Sequence, residues 1–169
     1  MTISKKDRVR DIIPLIRPER MQEFIESFPS YPLEKPILSM TVGEFSEIML
    51  DEDSYITKML NPKERAYIAF GRLHQYSIEM KGLADYLKTM QLKLTPEEQA
   101  ASRGVDLPSF VERMLLDTVS FFHLNSMAEA EKIPLADYLV VLKDSVATAK
   151  YSRNYNKILE QKSKTHRKK

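Results

Sequence analysis

The chain contains no cysteine, and that absence removes disulfide scaffolds, thiolate metal sites and cysteine nucleophiles together. Only four glycines occur in 169 residues. With so few, turn-rich β architecture is disfavoured, and no G-x-x-x-x-G-K-[ST] or G-x-G-x-x-G phosphate loop and no G-x-S-x-G nucleophile elbow is present. Long apolar runs are missing as well. The longest, Tyr138 to Leu142 for example, are five residues, against the ~18 that a membrane-spanning helix needs. Met1 to Asp11 is charged rather than apolar, so a secretory signal is not expected. The expectation is a cytoplasmic protein that does not enter a membrane.

What is present is ordinary for a globular chain: 43% hydrophobic and 30% charged residues over a length that suits one domain. The net charge of +2 hides a segregation. Residues 1–20 carry six Lys/Arg against three Asp/Glu, and residues 150–169 carry eight against one, which leaves 21–149 at −8. An acidic body with two basic ends results.

Five of the nine prolines fall within the first 36 residues, so no long helix can run there. Two short helices are expected, roughly Lys5–Ile13 and Pro18–Ser27, followed by an extended arm, Tyr31–Met40. Leu33, Ile37, Leu38 and Met40 would dock this arm on the body. Thr41-Val-Gly-Glu44 has the form of a capping box, in which the Thr oxygen takes the N3 amide and Glu reaches back. Phe45, Ile48 and Met49 then make a short amphipathic helix ending in Asp51-Glu52-Asp53, read as an acidic inter-helix loop in which Ser54 caps the next turn. Asn61-Pro62-Lys63-Glu64 repeats the start signature with Pro at the first helical position, predicting a helix over 62–91. Its apolar stripe is Ala66, Phe70, Leu73, Ser77, Met80, Ala84, Leu87, a heptad spacing with a polar fault at Ser77. Gly71 and Gly82 inside it mark either close packing or a kink.

Thr95-Pro-Glu-Glu98 is a further capping box, and Gly104 is a natural stop. Asp106 is expected to cap a helix over Leu107–Leu124, whose Val111, Met114, Leu115, Thr118, Phe121 and Phe122 form the candidate buried centre. Ser126 would cap a short turn. A last helix begins at Ile133-Pro134 and runs to Gln161 with Leu135, Leu139, Leu142, Val146 and Ala149 inward. Leu83-Ala-Asp-Tyr-Leu87 and Leu135-Ala-Asp-Tyr-Leu139 echo one another, but their flanks do not match, and no duplication is read from them.

Catalytic patterns are sparse. His74 and His123 lie on expected helices without a carboxylate at ligand spacing, and His166 adds to a basic tail. Asp51-Glu52-Asp53 starts like a calcium loop, yet Ile56 and Pro62 stand where such a loop needs Gly and Glu. No enzyme, metal or cofactor is expected. The C-terminal segment carries the one chemically suggestive cluster: Lys150, Tyr151, Arg153, Tyr155 and Lys157, then Lys162, Lys164, Arg167, Lys168 and Lys169. Three uses are open. Tyr151 and Tyr155 pack on the body while the lysines are merely solvated; or the segment grips an acidic protein, another copy included; or phosphate contacts and aromatic stacking bind nucleic acid.

From Asn61 to Leu159 the chain resembles small helical virion-assembly proteins of tailed bacteriophages and prophages, tail-assembly chaperones in particular. The resemblance lies in Leu94-Thr-Pro-Glu-Glu-Gln-Ala-Ala101, in the Phe110–Leu124 helix, and in Ala128-Glu-Ala-Glu-Lys-Ile-Pro-Leu-Ala-Asp-Tyr-Leu139. It implies a non-catalytic assembly factor or a minor virion component, placed in the host cytoplasm or the virion, and carries over no individual functional residue. The expected organisation is all-α: an arm over 1–40, a helical bundle over 41–161 and a basic tail over 162–169. Protein–protein interaction is the leading expected function, with self-association among its forms; nine Met make an adaptable surface or plain core filling. Nucleic-acid binding through the basic ends is the alternative.

Overall fold

Proline near the N-terminus and capping boxes further on divide the chain as their chemistry requires. The computed structural model describes residues 3, 4, 6–91, 95–106 and 108–166, and among these every regular element is helical. The expected all-α class is what is found. Helix α1 (Val9–Ile12) and α2 (Met21–Glu26) are short, each joined to a 3-10 turn beginning near a proline. The arm that follows is part of the core. Leu33, Ile37 and Met40 are buried, whereas Leu38 points out and is 54% exposed.

Thr41 starts α3 (Val42–Leu50) as its capping box demands: Thr41 Oγ1 accepts from the Glu44 amide at 3.2 Å, and Glu44 accepts from the Thr41 amide at 2.7 Å. The acidic stretch after it is not a loop. Asp51, rather than Ser54, is the cap, its carboxylate taking the Ser54 amide at 3.0 Å, so α4 (Glu52–Met59) follows α3 directly. An Asp preceding further carboxylates at a helix N-terminus satisfies both the orphan amides and the dipole.

The expected start at Pro62 is also corrected. Asn61–Glu64 forms a turn, with Asn61 accepting from the Lys63 and Glu64 amides, and α5 runs Ala66–Met90. The N-terminal segment competes for this backbone: Val9 donates to Glu64 O at 3.1 Å, Ala66 donates to Asp7 O at 2.9 Å, and Arg8 donates to Lys63 O at 2.8 Å. Along α5 the buried side turns. Ala66, Phe70 and Leu73 are buried against Ile12 and Phe28, while further along Tyr76 and Leu83 replace Ser77 and Ala84 and face the main core. Met80 and Leu87 of the stripe also pack on that core, half-buried, so the heptad is broken only at Ser77 and Ala84, whose places in the core go to Tyr76 and Leu83. Phe24 and Phe28 close this smaller cluster, Phe24 edge-on to Phe70 at 5.0 Å. Gly71 marks close packing: a Cβ there would lie 2.8 Å from Pro29 O and 2.9 Å from Tyr31 Cβ, where Tyr31 donates its amide to Gly71 O.

Thr95 caps α6 (Pro96–Ala101) with Glu98, as expected, and Gly104 adopts φ +76°. Ser109, not Asp106, caps α7 (Phe110–Phe122), through a reciprocal pair with Glu112. Pro108 and Ser109 both lie before the first helical residue, and Leu107, the expected first helical residue, lies outside the described residues. His123 is the left-handed C-cap of α7 (φ 52°), not a helical residue. The α7 face is also not the buried centre. Only Met114 and Thr118 are buried, and Phe121 is 48% exposed. The centre lies instead where Ile37 of the arm, Val42 of α3 and Tyr138 of the last helix meet.

Ser126 caps α8 (Met127–Ala130), and α9 runs Leu135–His166, past the expected end at Gln161. Its entry is tied to the start of α3: Val42 donates to Ile133 O, Gly43 to Glu131 O and Leu135 to Met40 O, all within 2.9 Å. Leu135, Tyr138, Leu139 and Val141 are buried, and Leu142, Val146 and Ala149 are half-buried. The two copies of the echo differ, since Tyr86 is 41% exposed and Tyr138 only 2%.

Candidate protein-binding helix

Polar groups that could suggest chemistry are engaged in holding the fold. His74 pairs its Nδ1 with Phe28 O at 2.6 Å. No group of three His, Cys, Asp or Glu poised for a metal occurs among the described residues. A cleft of about 650 Å³ opens between the arm, α3 and α4, with Leu33, Met40, Ile48 and Met59 among its walls. Its cations are largely matched: Lys35 is clasped by Glu44 at 2.6 Å, and Arg72 lies between Glu34 (3.3 Å) and Glu64 (3.0 Å). The Lys35 ammonium, with the Thr41 amide, holds the Glu44 carboxyl below its ordinary value. Tyr55 in the same wall has its phenol pKa raised, by burial first and then by Glu79.

The basic cluster lies on α9. No Gly or Pro interrupts residues 135–169, so the helix continues after the core ends. Its first half is locked in by Tyr138, whose phenol is pushed up to about 12 by burial and, secondarily, by Asp117. Arg153 ties the helix to α6: its guanidinium donates to both Glu98 oxygens at 2.8 and 2.9 Å. Glu98 has its pKa lowered, chiefly by the Thr95 amide and further by Arg153. Every residue from Asn154 to Ser163 is exposed. At 1.5 Å per residue, residues 154–166 project by roughly 20 Å.

Within the predicted set, Lys150, Lys157 and Lys162 are exposed, and Arg153 is paired rather than presented. The side chain of Lys164 and the whole of Arg167, Lys168 and Lys169 lie outside the described residues. Of the three uses left open, the one in which Tyr151 and Tyr155 pack on the body is not what is found. They are 70% and 50% exposed and stack on each other, centroids 6.2 Å apart and planes 10° off parallel. The rings sit one helical turn apart, past the last buried residue of the helix.

Sequence reasoning missed Ile158 and Leu159, which are 49% and 45% exposed. With Tyr151 and Tyr155 they occupy positions i, i+4, i+7 and i+8, one apolar face of a helix. That spacing was available in the sequence; what concealed it was the surrounding lysines, which made the segment read as a tail. No helix of the described residues is long and apolar enough to cross a membrane. Comparison with family models, with curated proteins and with solved structures finds no match to this chain.

Proposed function

We propose that this is a non-catalytic protein–protein interaction or assembly protein and that the distal half of α9 is its binding element. The observation that carries this is the open stripe Tyr151, Tyr155, Ile158 and Leu159 on a helix projecting beyond the body. A segment of about this length is marginal as an isolated helix in water. A partner that covers the stripe supplies the burial it lacks, in the helix-in-groove mode. The phage-type virion-assembly role, with a cytoplasmic or virion setting, is the finer form of this proposal and is supported by the sequence resemblance.

Nucleic-acid binding is the weaker use of the same helix. Lys150 and Lys157 flank the stacked rings, but Arg153 is engaged by Glu98, and the rings are already stacked on one another. Ile158 and Leu159 share the stripe and contribute neither phosphate contacts nor base stacking. The test is a photo-crosslinking side chain (benzoyl-phenylalanine) in place of Tyr155. A discrete protein adduct, lost when Ile158→Glu and Leu159→Glu are added, is expected. An adduct to nucleic acid alone, or no adduct, overturns the proposal.

A further inference from the structure

The cleft between the arm, α3 and α4 is walled by the main core itself. Leu33, Met40 and Ile48 are buried residues of that core, and Met59 and the Tyr55 ring, half-buried, pack against it. At about 650 Å³ the cleft falls within the range of roughly 300–1,000 Å³ that takes one small organic molecule, and it is too small for a folded domain. The thioethers of Met40 and Met59 adapt to the shape of what enters. Its walls are tied together without a ligand: Lys35 of the arm pairs with Glu44 of α3, and Glu34 of the arm with Arg72 of α5. A concavity already formed costs little ordering on binding.

The charges of the lining decide what kind of molecule it suits. Three cations and four carboxylates line the cleft, and most are spent. Besides the two ion pairs, the Asp51 carboxylate takes the Ser54 amide. Lys58 and Glu47 remain, both exposed and of opposite sign. A lining so balanced selects no ion, and a charged molecule entering it would lose hydration without gaining a partner.

One polar group in the wall is uncommitted. The Tyr76 hydroxyl donates to Glu52 at 2.8 Å, whereas the hydroxyl of its neighbour Tyr55 has no hydrogen-bond partner among the described residues. Burial, and then Glu79, Glu34 and Glu44, raise the Tyr55 phenol, so it stays protonated and able to donate. The same carboxylates turn an anion away from it.

We propose that this cleft is a binding site for an uncharged, largely apolar small molecule with one hydrogen-bond acceptor such as a carbonyl oxygen. The acceptor takes the Tyr55 hydroxyl, and the apolar body lies against Leu33, Met40, Ile48 and Met59. The site is independent of the binding role of α9.

The probe that tests it is Nile red, an uncharged dye with a carbonyl, titrated into the full chain and followed by fluorescence. Blue-shifted emission that saturates at one dye per chain is expected. Tyr55→Phe keeps the ring and should weaken binding about fivefold, the net worth of one hydrogen bond. Ser54 lines the cleft half-buried, and Ser54→Trp should weaken binding about tenfold or more by filling the space. Anilinonaphthalene sulfonate, an apolar anion, should bind the cleft about tenfold more weakly than Nile red. Each variant must retain the far-ultraviolet helical signal of the wild type; Tyr55→Phe, which removes one oxygen, keeps the test decisive should Ser54→Trp fold poorly. No saturable binding by the wild type overturns the site, as does binding that is lost in Ile158→Glu with Leu159→Glu but kept in Ser54→Trp. Undiminished affinity in Tyr55→Phe overturns the phenol as the recognition group. Tighter binding of the sulfonate, lost in Ser54→Trp, overturns the uncharged class.

Discussion

Alanine at Gly71 and alanine at Gly82 should move stability in opposite directions, although both residues lie inside α5. Around Gly82 a new Cβ meets nothing within 4 Å. The substitution there gains only helix propensity and reduced unfolded-state freedom, about 0.5–1 kcal/mol. At Gly71 the same gain applies, but the Cβ would lie 2.8 Å from the carbonyl oxygen of Pro29 and 2.9 Å from Tyr31 Cβ. Neither neighbour is the flexible end of a side chain, so the arm must lift. Overpacking of that kind costs about 1–3 kcal/mol. The Tyr31 amide bond to Gly71 O, 2.9 Å long, weakens with it, a further loss of about 1 kcal/mol. The net expectation is a loss of roughly 1–3 kcal/mol for Gly71→Ala, a gap of about 2–4 kcal/mol from Gly82→Ala. In urea denaturation, with a slope of about 2 kcal/mol/M, the two midpoints should separate by ~1–2 M with the slope unchanged. Equal stabilisation by both alanines would refute the seating of the arm on α5.

Met114→Ala empties a fully buried site at 0% exposure and should cost about 2–5 kcal/mol, read as a lowered thermal midpoint. Ile158→Glu with Leu159→Glu, by contrast, should leave the stability of the monomer within about 0.5 kcal/mol, because neither side chain packs on the body; a large loss would mean that the distal helix is part of the fold. Glu98 is held below its ordinary value of 4.5, so its contribution to the α6–α9 contact is fully present above that value and disappears as pH falls through the lowered folded one. Hydrogen exchange of residues 96–101 should therefore accelerate on acidification after correction for intrinsic rates, and Glu98→Gln should blunt the change.

Local chemistry was legible residue by residue where it stays local. The capping boxes at Thr41 and Thr95 read correctly because their bonds join residues three apart and need nothing from the rest of the chain. The cap proved to be Ser109 rather than Asp106, and its reciprocal bonds with Glu112 are equally local. The start at Pro62 is different, since Val9 and Arg8 take the carbonyls of residues 63 and 64 from more than fifty positions away. The same holds for the stripe of α5, which slips by one residue after Leu73, to Tyr76, as the helix passes from the smaller cluster to the main core.

The sequence by itself determined that this chain is helical, that its charge is segregated, and that an apolar face at helical spacing lies among the lysines of residues 150–162. Periodicity and short-range hydrogen bonding decide such matters, and both can be read along a line. Only the tertiary structure decided which apolar faces are covered. It buried the arm at Ile37, left Phe121 half open, spent Arg153 on Glu98 and carried Tyr155, Ile158 and Leu159 out past the core. Burial is a relation between segments distant in sequence, so whether an apolar stripe becomes core or binding surface depends on where the other helices stop.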